Sequence, residues 1–375
     1  MKMHPLMIKA KDQRKEQLKD IRDAKKLFIW GNGSYSHTIK AYLESEIGYT
    51  GEILTLLDDE YCRPDDSEVV PLSQILDSGG IEAPVVFGFY NYIEVQRKKE
   101  KFAHAFPNMI DIHFTVVNGK RLEWDPTSAK ARIIEYQFTY DLLMDEQSRQ
   151  VMQLYLNAAT AGEFHELFTH SYEAPAFFNR ITEGLQVDTL IDCGAYDGDS
   201  IHDFVMSHPE YSHIIAVEPD SLNVEKLHCR ETRERFHNLS IVSKGLGSEI
   251  GEYRFRLSGA SNSCFDADGE SVVPITTLDA ITETLFTQKI PGRLFVKMDI
   301  EGSELDALKG ARQLIRSYTP ILAVCVYHRE EDLIEIPKLI DETAGKNSYD
   351  YHLGFHGLDL AELVFYAIPR AVRQK

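Results

Sequence analysis

Thr189-Leu-Ile-Asp-Cys-Gly-Ala-Tyr-Asp-Gly-Asp-Ser200 is an apolar run that breaks into a glycine-rich turn. Its acid, Asp192, stands two residues before Gly194, and a second glycine follows at Gly198. A strand ending this way, with a helix behind it, brings backbone N–H groups and a carboxylate onto one small polar ligand. A dinucleotide fold would set three glycines at fixed spacing against a pyrophosphate. Here Asp192 and Tyr196 occupy positions where that pattern needs glycine. An acid ahead of the glycines instead suits an ammonium group, such as the amino-acid end of S-adenosyl-L-methionine.

Downstream, strand and helix patterns alternate to the C-terminus. Strand candidates fall at 189–192, 213–218, 239–243, 293–298 and 320–327, and two extended segments at 349–355 and 363–368 pair as an antiparallel hairpin. The expected class is α/β. Five parallel-type strands and a terminal hairpin make a seven-stranded, Rossmann-like sheet of the methyltransferase type over residues 181–375. Right-handed crossovers then bring the ends of its first and fourth strands together over one cleft.

Upstream, Lys26–Trp30, Glu52–Leu57, Pro84–Phe89 and Met109–Phe114 read as strands separated by helices, a smaller Rossmann-like α/β domain over 26–118. Residues 119–180 are expected to form a helical connector and residues 1–25 a polar helix. The turn Gly31-Asn-Gly33, with Asp58 about 25 residues on, fits generic nucleotide binding, although Ser36 replaces the third glycine. A ligand-free scaffold domain would carry the same sequence.

At 375 residues, two domains are the natural expectation. Lys and Arg total 40 against 59 acids, a formal charge of −19 that would repel nucleic acid and anionic lipid. The N-terminal stretch lacks an apolar signal-peptide core, and runs such as Ile321–Val326 are far too short to span a bilayer. Five scattered cysteines without a Cys-x-x-Cys pair favour a reducing cytoplasm over a disulfide framework or a zinc site.

Two further clusters carry chemistry. The second strand of the C-terminal domain ends in Glu218-Pro219-Asp220, 26 residues after Asp192. Glu218 can accept both hydroxyls of a ribose, Pro219 can stiffen the exit, and Asp220 can cap the next helix. A plain capped turn would look the same, but with Asp192-x-Gly194 ahead of it the cofactor reading is the stronger. The fourth strand runs Leu294-Phe-Val-Lys-Met-Asp-Ile-Glu-Gly-Ser-Glu304 and delivers Lys297 and Asp299 toward the cleft by alternation, with Glu301 in the turn. Charges there are costly to bury without partners. They read as catalytic candidates, with a turn-fixing Lys297–Asp299 ion pair as the plainer alternative. The fifth strand ends in Tyr327-His328, and His328 could serve as general base for a substrate hydroxyl. A divalent metal on Asp299, Glu301 and His328 suits the ligand types, but nothing in the spacing demands one. The fourth strand lacks the Asn/Asp-Pro-Pro-aromatic sequence used to hold an amine, which favours an oxygen acceptor.

Together, Ile191–Asp199, Val217–Asp220, Thr276-Thr-Leu-Asp279, Val296–Glu304, Leu308-Lys-Gly-Ala311 and Pro320 resemble the FkbM family of S-adenosylmethionine-dependent methyltransferases in order and spacing, over about residues 185–370. The resemblance implies O-methylation of a hydroxyl on a small-molecule or glycan-type acceptor: a sugar, a polysaccharide component or a polyketide. It implies cofactor binding by Asp192, Gly194, Ala195, Tyr196, Asp197, Gly198, Glu218, Pro219, Asp220 and Asp299, with Asp299 and Glu301 lining the reactive cleft. Tyr327-His328 stands where many members carry a carboxylate, which leaves the base open. Phe28–His37 followed by Leu57-Asp-Asp59 resembles the small domain preceding some bacterial sugar-modifying acyltransferases, which implies a nucleotide-sugar site at Gly31, Gly33 and Asp58. The competing expectation is a scaffold or sensor that binds a sugar nucleotide on a retained methyltransferase fold. Oligomeric state is not readable from the sequence.

Overall fold

The computed structural model describes residues 6–8, 18–19, 21–63, 68–114, 116–117, 120–122, 124, 126–256, 264–265, 269, 271–286 and 290–373. Most of the polar N-terminal helix expected at 1–25 lies outside them.

Lys26–Trp30, Glu52–Leu57, Val69–Pro71, Val85–Phe87 and Met109–Ile110 form a five-stranded, wholly parallel sheet. The central strand, Lys26–Trp30, lies between Glu52–Leu57 and Val85–Phe87, so the chain reverses its winding direction there. Phe28 and Trp30 bury on one face of this sheet, Leu27 and Ile29 on the other. Such two-sided burial is what a continuous apolar run encodes. Val69–Pro71 was not expected as a strand: three residues with a proline give almost no periodic signal.

Four helices follow: Pro126–Ala131, Ile133–Leu142, Glu146–Ala161 and Phe164–Ser171. The third starts where the Asp145 side chain accepts from Ser148 N at 2.7 Å and stops at Gly162, φ 80°. It lies on the terminal hairpin, where Leu353 N donates to Ser148 Oγ at 3.0 Å and Asp145 also meets His352. Burial opposes ionisation of Asp145, but His352 and Ser148 hold its carboxyl well below the usual range. Its contribution is therefore present above the unfolded value near pH 4 and lost as the pH falls through the folded one. Asp145→Ala should cost about 1–2 kcal/mol at neutral pH, read from urea denaturation, and its deficit should shrink in acid.

Helical structure ends at Ser171, short of the 180 expected from periodicity, and 172–187 is irregular. The large sheet then runs Leu239–Val242, His213–Val217, Thr189–Cys193, Leu294–Met298, Ile321–Cys325, Leu363–Pro369, Tyr349–Phe355 across its width. The first five are parallel; Leu363–Pro369 is antiparallel to both its neighbours. Thr189–Cys193, Leu294–Met298 and Ile321–Cys325 are buried throughout, covered on both faces. A separate small sheet, Gly245–Leu246, Gly251–Arg256, Cys264–Phe265 and Ser271–Thr276, was not anticipated. The two sheet units touch: Tyr92 packs into the core of the larger one, and its N–H donates to Leu358 O at 3.0 Å in the hairpin loop.

Candidate active site

The winding direction of the large sheet reverses between Thr189–Cys193 and Leu294–Met298, and the carboxyl ends of these strands meet under a cavity of about 420 Å³. Open α/β sheets bind ligands at such a point.

Gly194 holds φ +81°, and a Cβ there would lie 1.9 Å from Asp299 O. Only glycine permits the two strand-exit turns to touch, and Asp299 N donates to Cys193 O at 3.0 Å to close the seam. Lys297 stands opposite Asp192 in the parallel register. Its ammonium lies 3.0 Å from Asp192 Oδ1 and donates to Gly194 O at 2.7 Å. Ser200 Oγ donates to the other Asp192 oxygen at 2.5 Å. Asp192 is fully buried and does not border the cavity. Its expected role as partner of a ligand ammonium is thereby corrected: the protein's own lysine fills it. The plainer Lys297–Asp299 pairing is corrected too, since alternation gives a side chain's face but not its cross-strand neighbour.

Glu218 borders the cavity at 5% exposure, accepting from Tyr196 N and Asp220 N, each at 2.9 Å. Gly194, Tyr196, Pro219, Lys297, Asp299 and Glu301 border it as well. Ala195, Asp197, Gly198, Asp220 and His328 do not. Asp197 turns away to Arg230 at 2.8 Å, and Asp220 caps the following helix through Leu222 N at 2.9 Å. Gly198, φ +87°, packs beneath Leu227.

His328 is buried behind this wall. Its Nδ1 lies 3.0 Å from Glu304, and its Nε2 lies 3.5 Å from Asp299 and 3.8 Å from Glu301. Burial favours the neutral ring, but Glu304 first, then Asp299 and Glu301, raise it to about 10. Buried among Glu304, Asp299 and Glu301 and absent from the cavity lining, His328 is not placed to reach a substrate hydroxyl as the expected general base. Burial pushes Glu301 up to about 7, Asp299 adding to the effect and His328 opposing it. Glu301 also sits at φ +55°, a strained conformation for a residue with a side chain. Among the described residues two groupings offer metal-type ligands, Asp299 with Cys325 and Glu362, and Asp299 with Glu304 and His328. Glu301 belongs to neither, so the expected triad does not converge.

The cavity also has walls that the sequence did not point to. Glu362, from the hairpin turn, borders it, and burial and then Asp299 raise its carboxyl to about 8. Phe177 comes from the irregular segment, Phe255 from the small sheet of 245–276, and Lys244 from the link between Leu239–Val242 and that sheet. Tyr327 donates to Asp299 Oδ1 at 3.5 Å. Apart from Tyr327, beside the candidate base, none of these sits in a local motif; each arrives by tertiary placement.

A parallel sheet closed by an antiparallel hairpin, with a glycine turn and an acid-lined cavity at its switch point, defines the methyltransferase class of α/β folds. Residues 192–353 match the family model described as the methyltransferase FkbM domain. The crystal structure of methyltransferase FkbM from Methylobacillus flagellatus KT has the same fold, with TM-score 0.68 at 20% identity, covering 96% of this chain and 94% of that one. A precorrin-6y C5,15-methyltransferase from Geobacter metallireducens GS-15 aligns at TM-score 0.29 and 12% identity, over 49% of this chain and 80% of its own. An SAH-bound methyltransferase of Podospora anserina aligns at 0.29 and 9%, over 66% and 94%. No curated protein matches the chain. Among the described residues no helix is long and apolar enough to cross a membrane.

Gly31 and Asp58 border a different cleft, over the N-terminal five-stranded sheet, and Gly33 does not line it.

Proposed function

We propose that the cavity binds S-adenosyl-L-methionine and that the protein transfers its methyl group to a hydroxyl of a small-molecule or glycan-type acceptor. The observation that carries this reading is the balance of charge around the cavity. Asp199, Asp203, Glu218, Asp299, Glu301 and Glu362 border it against Lys244 and Lys297. An excess of carboxylates suits a donor that carries sulfonium and ammonium charges and disfavours a pyrophosphate. Backbone around Gly194 and Tyr196 would hold the amino-acid end, with Asp199 and Asp203 as carboxylates for its ammonium. Glu218, anchored by two backbone N–H groups, would face the ribose hydroxyls.

When bound, S-adenosylmethionine supplies an electrophilic methyl carbon. This chain's residues then have two tasks, alignment and proton removal. Glu301 and Glu362 approach the cavity with carboxyls poised near neutrality. Glu301, with His328 Nε2 3.8 Å away, would take the proton of the acceptor hydroxyl as the methyl carbon's bond to sulfur gives way to its bond to the acceptor oxygen. Because the carboxylate is the working form, the rate rises with pH through about 7, to which burial pushes the Glu301 carboxyl.

Calorimetric titration with S-adenosylmethionine and S-adenosylhomocysteine, followed by an acceptor screen weighted toward sugars, tests the reading. Glu301→Gln should leave donor affinity within about threefold and lower kcat by about 10²–10⁴-fold. Absence of donor binding, or a flat rate profile between about pH 6 and 9, would sink it.

A further inference from the structure

Phe177 stands in a conformation that its side chain resists. Its φ is +54°, in the left-handed region, which a bulky residue keeps only where the surroundings over-determine it. Here they do. Thr182 Oγ1 donates to Phe177 O at 3.0 Å, and Asn179 N donates to Thr182 Oγ1 at 3.0 Å. The buried Asn179 side chain in turn donates to the Tyr366 hydroxyl at 2.7 Å, on the strand Leu363–Pro369. Upstream, Glu173 N donates to Phe355 O at 3.0 Å, and His356 Nδ1 meets Glu173 O at 2.6 Å. The irregular segment is thus fastened to the terminal hairpin on both sides of Phe177, which holds the ring at the wall of the donor cavity with 8% exposure.

Positive charge already meets the ring there. The Lys297 ammonium lies 5.3 Å from the Phe177 centroid and donates to Gly194 O at 2.7 Å, so the ring stands beside the seam between the exits of Thr189–Cys193 and Leu294–Met298. Asp192, 3.0 Å from Lys297, balances that charge within the protein. The negative face of the ring can therefore serve a second cation. The other aromatic side chains of the wall are engaged elsewhere: Tyr196 with Lys226 at 5.1 Å, Tyr327 with His328 at 4.1 Å, and Phe255 with Val273 and Ile275.

We propose that Phe177 recognises the sulfonium of the methyl donor through its ring face. The inference rests on the reading of the cavity as an S-adenosylmethionine site. The donor's sulfur joins the amino-acid end, over Gly194 and Tyr196, to the ribose at Glu218, which sets it on the same seam. The consequence is discrimination by charge. S-adenosylmethionine carries a cation at sulfur and S-adenosylhomocysteine a neutral thioether, so only the first draws on the ring. The spent donor is held less tightly than the fresh one.

The test is calorimetry on the full chain with S-adenosylmethionine, S-adenosylhomocysteine and sinefungin, whose amine places a cation where the sulfonium stands. Phe177→Leu keeps the wall apolar and should weaken S-adenosylmethionine and sinefungin about tenfold, while S-adenosylhomocysteine stays within about twofold. Phe177→Tyr keeps the ring and should bind both cations as the wild type does. Fluorinated phenylalanines at position 177 preserve the ring's shape while draining its negative face, and affinity for the two cations should fall stepwise with fluorine number. Equal loss of all three ligands in Phe177→Leu overturns the proposal and leaves Phe177 as packing alone, as do affinities indifferent to fluorination. Failure of the wild type to bind any of the three removes the donor reading itself, and this inference with it.

Discussion

Lys297→Met is expected to destabilise the large sheet by about 3–5 kcal/mol, because it leaves a buried carboxylate without its counter-charge. Asp192 is fully buried and Lys297 5% exposed in its side chain, so water can replace neither partner. Methionine keeps the length and apolar stem of lysine, which isolates loss of the charge from loss of volume. The pH dependence has a definite sign. Burial raises the Asp192 carboxyl above its ordinary value, with Lys297 and Ser200 holding it down. Without Lys297 it rises further, so the variant's folded state binds a proton that its unfolded state releases above about pH 4. Stability of Lys297→Met therefore falls as pH increases, and its deficit should be smaller at about pH 5 than at about pH 8. The double variant Asp192→Asn, Lys297→Met removes both charges and should recover about 2 kcal/mol relative to Lys297→Met alone. Urea denaturation followed by circular dichroism gives all three values. A single variant no less stable than the double, at neutral pH, would show that the pair is not what holds these strands.

That pair also marks how far the sequence carries. The apolar run into Gly194, the acid-ended strand at Glu218 and the closing hairpin are local patterns, set by side-chain period and by residues with special backbone freedom, and the strands lie where those patterns place them. Which charge meets which is a matter of register. Lys297 faces Asp192 across 105 residues of chain, and nothing near either residue names the other. His328 shows the same limit for chemistry: a histidine at a strand end reads as a base until Glu304, Asp299 and Glu301 are seen around it. Glu362 lies in a hairpin turn with no motif and gains its place only when Leu363–Pro369 inserts beside Ile321–Cys325. The small sheet of 245–276 escaped for a plainer reason. Its strands Gly245–Leu246 and Cys264–Phe265 have two residues each, and Gly251–Arg256 is mostly exposed and polar, so no apolar alternation marks them.

Gly194→Ala should abolish binding of S-adenosylmethionine, with at least a hundredfold loss, and lower the melting temperature more than any other glycine substitution in the site. Two costs add. Alanine at φ +81° costs about 1–2 kcal/mol for the left-handed backbone alone. Its Cβ would also lie 1.9 Å from Asp299 O, and that carbonyl is backbone, so no rotamer change relieves the contact. The exits of Thr189–Cys193 and Leu294–Met298 must separate, which breaks the bond from Asp299 N to Cys193 O and the one from Lys297 to Gly194 O. Both walls of the cavity then move at once. Gly198→Ala is the control. Its φ of +87° carries a similar backbone cost, but the nearest atoms are Leu227 Cδ1 at 2.7 Å and Arg230 Cδ at 3.3 Å, in side chains that can shift. It should weaken binding by about tenfold, the equivalent of its backbone penalty. Calorimetry with S-adenosylhomocysteine and a thermal melt on the three proteins distinguish the cases. Equal losses in the two variants would mean that the left-handed backbone alone matters and that the contact with Asp299 does not. A Gly194→Ala protein that binds within about threefold of wild type (less than 1 kcal/mol) would place the donor elsewhere than over this turn.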